Sequence, residues 1–306
     1  MYMHTERLRT CFAILCLAFA AVIVGAATVA HASDYVIQRD AAMQLFKARE
    51  YEKALQAFSA MSQANVSKVQ KSDALNQAIR CLIALERKDE AMKLTEQIPI
   101  EPEAMTCQMR VLSAQQAWEQ IVTTFAKIDI DTWPDYLKSE AYSTRGFAAY
   151  RTRHAELAIA DLTKAITYKA TVNDRSLAIN HLAAAYDHLL KDDKKAIETY
   201  RSVYPLGHTY KQAGAAIAVA GILTRQEKYD EAVKELETID LEQVKFIVWK
   251  EKVLAAQGRA LAAAGQVQPA IAKYQQILAI EDLESDKHDR YAKVIEGLKQ
   301  RQADKP

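Results

Sequence analysis

Few side chains in this sequence are spaced for catalysis. His181 and His188 stand seven apart, so one helix would carry both near one face, two turns apart. That separation is too wide for a shared metal ion unless a third element supplies ligands. His154, His208 and His288 are scattered. Asp192 with Asp193, and Asp89 with Glu90, are adjacent acids flanked by lysines in stretches that read as turns. They are expected to be solvated rather than held as a buried acid and base. The sequence contains no G-x-G-x-x-G, G-x4-G-K-[ST], H-E-x-x-H, G-x-S-x-G or C-x-x-C. The expectation is a chain that is not an enzyme and holds no cofactor or metal.

The elements that carry these residues recur. A small residue is followed four positions on by a large one, and three further by another apolar one. Ala54, Phe58 and Met61 form one copy. Ala158-Leu162-Ala165, Ala196-Tyr200-Val203, Ala232-Leu236-Ile239 and Ala270-Tyr274-Ile277 form four more, their alanines spaced 38, 36 and 38 residues apart. Ala91 begins a weaker copy ending at Ile98. Upstream lies a second signature: Tyr142-x2-Arg145-Gly146-x2-Ala149, Ile179-x2-Leu182-Ala183-x2-Tyr186, Val219-Ala220-x2-Leu223, and Leu254-x2-Gln257-Gly258-x2-Leu261. Positions three, four and seven apart share one helix face, so each copy reads as two helices packed small against large. One such hairpin cannot bury its apolar stripe alone; stacked neighbours make the core continuous. Phe58, Tyr200 and Tyr274 are therefore expected in the core, and Trp118, Trp133 and Trp249 as filler between helices.

Composition agrees. Half of the 306 residues are apolar and 26% charged, with only 8 Gly and 6 Pro, which disfavours a doubly wound nucleotide fold or a β-sandwich. Formal net charge is +1, leaving no basic excess for nucleic acid. Residues 11–30 carry no charge, follow Arg7 and Arg9, and lead to Ala30-His31-Ala32. This reads as a secretory signal peptide cleaved after Ala32, with an uncleaved membrane anchor as the alternative. Either places residue 33 onward outside the cytoplasm, periplasmic or secreted if cleaved, and facing the periplasm if anchored. No membrane contact beyond this segment is expected. Without residues 1–32, acids and bases are equal in number, and Cys81 and Cys107 remain. Export permits a disulfide between these two; two buried thiols is the other reading.

These motifs resemble the tetratricopeptide repeat, most strongly over 137–280 and moderately over 35–98. Gly is often replaced by Ala, and the Pro that ends each repeat is mostly missing. The resemblance implies an all-α fold: a right-handed α-α superhelix, a solenoid of about six to seven helical hairpins. Domain boundaries are expected at 33–133 for less regular hairpins, 134–283 for regular ones, and 284–306 for a capping helix and tail. Residues 99–133 are irregular; Ala117 and Ile121 are one choice of key positions for a degenerate third repeat. Thr132-Trp133-Pro134-Asp135 reads as a capped helix start, and Ser285 as the N-cap of the last helix.

The resemblance also implies that first helices line a concave groove. Groove candidates are Arg39, Phe46, Lys47, Asn76, Arg80, Tyr150, Arg151, Asn180, Asp187, His188, Arg225 and Arg259. Bases predominate, which suits an acidic peptide or a C-terminal carboxylate. The chaperone-binding clamp of this family needs Lys and Asn four apart; Arg39 is followed by Met43, so that activity is not expected. The implied function is an exported scaffold or adaptor in the bacterial cell envelope that takes a protein or peptide partner. A self-associating spacer, or an accessory domain of a cell-wall-glycan enzyme, is the alternative.

Overall fold

The computed structural model describes residues 34–168, 171–206 and 209–303. The leader segment, including its proposed cleavage point at Ala32, and His208 lie outside the described residues. Among the described residues the regular structure is entirely helical. None of these helices is long and apolar enough to cross a membrane.

The chain divides into two compact units between Ala117 and Trp118. The first unit holds α1 (34–47), α2 (Tyr51–Gln63), α3 (Lys68–Ala84), α4 (Lys88–Thr95) and α5 (Glu101–Ala114). The second holds α6 (Trp118–Phe125), α7 (Asp135–Arg151), α8 (Ala155–Thr167), α9 (Val172–Ala185), α10 (Asp193–Arg201) and α11 (Thr209–Arg225). It continues with α12 (Tyr229–Glu237), α13 (Ile247–Ala263), α14 (Val267–Leu278) and α15 (Ser285–Ala303). Within each unit, helices pack on their successors in chain order, as a TPR-like solenoid of hairpins. In the second unit α7 touches α9, α9 touches α11 and α11 touches α13, so first helices share one face.

The turn inside each hairpin is built one way. Arg49, Glu86, Gln116, Arg153, Lys191, Glu227 and Gly265 all take left-handed backbone, φ between 56° and 75°. At Glu86 the amide donates to Ile83 O (3.0 Å), and that of Arg87 donates to Leu82 O (2.8 Å). The same two bonds recur at Arg49, Gln116, Arg153, Glu227 and Gly265, the Schellman arrangement that satisfies the last carbonyls of a helix. At Lys191 the bond runs instead from Asp192 N–H to Tyr186 O, because the extra residue of this repeat is absorbed in a π-turn over Tyr186–Leu190.

These turns set the register of every hairpin. Five residues after each lies a buried residue: Ala54, Ala91, Ile121, Ala158, Ala196, Ala232 or Ala270. Four further lie Phe58, Thr95, Phe125, Leu162, Tyr200, Leu236 and Tyr274, also buried. At the start of the second unit the pair is thus Ile121 and Phe125, and Ala117 belongs to the turn before α6. The second hairpin exchanges sizes: Ile79 stands where the first has Ala42, the fourth Gly146 and the last Gly258, and the small Thr95 replaces the large residue.

The close approach is measurable at two glycines. A Cβ on Gly146 would lie 2.8 Å from Leu162 Cγ, and one on Gly258 would lie 2.8 Å from Tyr274 Cζ. Buried Arg145 locks the neighbouring helices. Its Nε and Nη2 donate to both Asp161 oxygens (2.6 and 2.9 Å), and Nη1 donates to Phe125 O (2.7 Å) and Ile128 O (2.9 Å). Both side chains of this pair are over nine-tenths buried, so every charge is matched where water is excluded.

Two helix starts differ from expectation. Thr132 does not cap α7; its hydroxyl donates to Asp129 O (2.7 Å), within a 3-10 turn, and Pro134 precedes the helix without a side-chain bond. Ser285 is the first residue of α15 rather than its cap. A capping box unnoticed in the sequence, Ser67 with Gln70, opens α3. Cys81 and Cys107 are both buried free thiols, and burial pushes the Cys81 thiol up to about 11.

Three glycines separate the forces. Gly258→Ala should destabilise the second unit by about 1–3 kcal/mol through crowding against Tyr274. Gly265→Ala should cost about 1 kcal/mol through backbone strain alone, since its Cβ would meet open space. Gly221→Ala, mid-helix and also open, should stabilise by about 0.5–1 kcal/mol. Urea unfolding checks all three signs. In the same assay Arg145→Ala should lose about 3–5 kcal/mol, because Asp161 is left buried and unpaired.

Candidate functional site

First helices of the second unit carry their exposed side chains at three- and four-residue intervals, and the last three converge on a groove. Val248, Lys252, Ala255 and Arg259 form one stripe of α13. Gly214 and Ile217 face them from α11, and Lys287, Arg290 and Tyr291 from α15. The groove has a volume of about 570 Å³ and is open to solvent. Gly214 makes room for Trp249, whose ring edge would lie 3.3 Å from a Cβ there.

The charges in this groove are unequally satisfied. Buried Glu251 accepts from the Tyr291 hydroxyl (2.7 Å) and pairs with Lys287 Nζ (3.2 Å). The Lys252 ammonium lies 4.6 Å from the Trp249 ring centre, and the Arg290 guanidinium lies 4.9 Å from that of Tyr291. No carboxylate among the described residues ion-pairs with Lys252, Arg259 or Arg290. Lys252 and Arg290 over two aromatic rings, with Arg259 on the same stripe as Lys252, therefore offer both bidentate donors and stacking surface.

Of the groove candidates read from the sequence, only Arg259 lies here. Tyr150, Arg151 and His188 come together elsewhere in the second unit, lining a smaller hollow of about 390 Å³ with Arg153 and Lys191. The Tyr150 hydroxyl lies 2.6 Å from His188 Nδ1. Arg151 covers Trp118 at 5.1 Å, so that tryptophan is a platform for an internal cation, whereas Trp133 is buried filler. Asp187 is buried and takes Arg225 Nη2 at 2.6 Å; Asp193 takes the same nitrogen at 3.1 Å. Arg225 is thus tied internally. Asn180 Oδ1 is buried without a hydrogen-bond partner among the described residues.

The remaining candidates belong to the first unit. Arg39 Nε donates to Asp73 (2.6 Å), as does the Tyr35 hydroxyl (2.9 Å). Burial opposes charge on Asp73, but these bonds outweigh it and hold its carboxyl below the usual range. Arg80 lies over Phe46 at 5.2 Å and donates to Gln77 (3.0 Å). Asn76 accepts from Arg110, and Lys47 is exposed.

Lys252, Arg290, Trp249 and Tyr291 were missed. Stepping seven residues back from Arg259 reaches Lys252. The other signal is that α15, read only as a cover, serves as a further first helix: Tyr291, Ile295 and Leu298 pack inward while Lys287 and Arg290 face the groove.

The two histidines on α9 and its π-turn are separated. His188 is exposed, and His181 is stacked on Phe147 with ring centres 4.0 Å apart. Among the described residues, no three His, Cys, Asp or Glu side chains converge to hold a metal ion.

No family model matches this sequence, and no curated protein does. Solved structures do. A tetratricopeptide repeat protein from Parabacteroides merdae superposes with a TM-score of 0.52 at 11% identity, covering 85% of this chain and 98% of that one. The C-terminal part of a TPR repeat-containing protein from Cytophaga hutchinsonii gives 0.50 at 16% identity, covering 82% and 98%. The fold is TPR-like.

His181 gives this unit a pH dependence. Burial, and secondarily Lys211, pushes its pKa down to about 4, below its unfolded value of about 6.5. The unfolded chain binds the proton first, so stability is full above pH ~6.5 and declines as pH falls toward 4. Between pH 7 and 5 the loss from this group should be about 2 kcal/mol. His181→Phe should flatten that slope in urea titrations at the two pH values; an unchanged difference would refute the assignment.

Proposed function

We propose that this chain is an exported scaffold or adaptor of the bacterial cell envelope that binds an acidic protein segment along its first-helix face. The observation that carries this reading is the groove among α11, α13 and α15. There Lys252, Arg259 and Arg290 have no carboxylate ion-pair partner among the described residues and stand beside Trp249 and Tyr291. A TPR-like fold supports it by providing rigid first helices on which such side chains stay positioned. Guanidinium groups favour carboxylates geometrically, and the aromatic floor accepts an adjacent apolar side chain. Binding of this kind is steered by charge and weakened by salt. Export rests on the uncharged stretch over 11–30 and the Ala30-His31-Ala32 ending. The chain's role is then to hold a partner, not to transform it.

The test is capture from envelope extract, comparing the wild-type chain with Arg259→Glu/Arg290→Glu. Both substitutions are on exposed or partly exposed groove positions and should leave the circular dichroism melt unchanged. The expected result is a retained protein set, lost from the double variant and released by raised salt. Equal retention by both chains would sink the groove reading.

A further inference from the structure

A second surface of the same unit is built differently from the groove. Phe246, Ile247 and Val248 are consecutive and exposed, at 57%, 42% and 42%. They stand at the start of α13, after a turn that is firmly held. Val244 is fully buried, and Asp240 accepts from the Glu242 amide (3.0 Å) and the Gln243 side chain (2.9 Å). The Phe246 carbonyl takes the amides of Trp249 (2.9 Å) and Lys250 (3.2 Å). The three apolar side chains are therefore presented in an ordered backbone, and little ordering cost remains on binding.

Amphipathic rings stand behind them. Tyr210 meets Phe246 edge-on at 5.9 Å and lies 6.4 Å from Trp249. Around them are Lys211, Lys245, Lys250 and Lys252, none ion-paired among the described residues. Burial lowers the Lys211 pKa, with Asp174 opposing. Asp240 and Glu242 are the exposed acids of the turn, and Glu251 is buried and matched by Lys287. The local balance is cationic.

The geometry decides what such a surface fits. A partner helix or strand would read residues on one face, spaced three or four apart on a helix. Ile247 and Val248 are adjacent, leaving the helix about 100° apart, and Phe246 precedes it. A fan of this kind suits a fluid apolar medium. Tyr and Trp suit its polar boundary, and lysines suit anionic headgroups.

We propose that Phe246, Ile247 and Val248, flanked by Lys245 and Lys250, insert into the surface of an anionic phospholipid bilayer. This departs from the sequence expectation of no membrane contact beyond the leader, because exposure at the start of α13 is invisible in an apolar helical stretch. Phe246 and Ile247 stand outside the partner groove, whereas Val248, Trp249 and Lys252 belong to both surfaces.

The experiment uses the full chain and the fluorescence of its tryptophans, of which there are 3, none in the leader segment. Vesicles of phosphatidylcholine with phosphatidylglycerol, brominated in the acyl chains, are titrated in. The result expected is quenching that disappears in Trp249→Phe, whether or not the leader also anchors the chain. Phe246→Ser/Ile247→Ser should raise the lipid concentration for half-quenching at least about tenfold. Lys245→Gln and Lys250→Gln should each raise it about fivefold. Absent quenching, quenching that survives in Phe246→Ser/Ile247→Ser, or equal quenching by pure brominated phosphatidylcholine would overturn the proposal. So would loss of a captured protein from the double serine variant with no quenching in the wild type, which would assign the patch to a protein.

Discussion

The structure depends on how closely two helices of one hairpin approach. Where the first helix has Gly or Ala, the backbone of the second comes within contact distance, and a large side chain four residues beyond its alanine fills the next gap. At Gly258 the ring of Tyr274 occupies the space of a missing Cβ. Because each hairpin leaves apolar surface for the next, buried side chains join across successive helices; in the second unit one cluster runs from Ile179 on α9 to Ala260 on α13. Stability is therefore local, and changes at one hairpin act first on its neighbours.

The second constraint is the left-handed turn residue. It ends the first helix, satisfies its last carbonyls and starts the second helix at a fixed offset. Six of the seven such positions are occupied by Arg, Glu, Gln or Lys, and glycine appears only at Gly265. Left-handed backbone is unfavourable for those side chains, so hydrogen bonding and packing must over-determine each turn.

That explains what could be read from the sequence. The alanines at 158, 196, 232 and 270 stood out because spacing of small and large residues is a property of side chains alone. The start of α6 did not, since Ile121 and Phe125 are both large, and Gln116 gives no hint of its backbone. Arg145 looked like an ordinary repeat position; only the coordinates show its three partners buried together. The candidate site was less legible. Helical phase indicates which residues face outward, but not which charges find internal partners. Arg225 and Arg39 are tied to Asp187 and Asp73, each more than thirty positions away, whereas Arg259 is not.

The close approach inside the hairpin also fixes where first-helix side chains stand, and hence the groove of Lys252, Arg259 and Arg290. A double-mutant cycle on Gly258→Ala and Tyr274→Leu measures it most directly. Each change alone should destabilise, but Leu removes the ring that the new Cβ would meet. The double variant should then retain at least about 1 kcal/mol more stability than the sum of the singles implies. Additivity within about 0.5 kcal/mol would contradict the account.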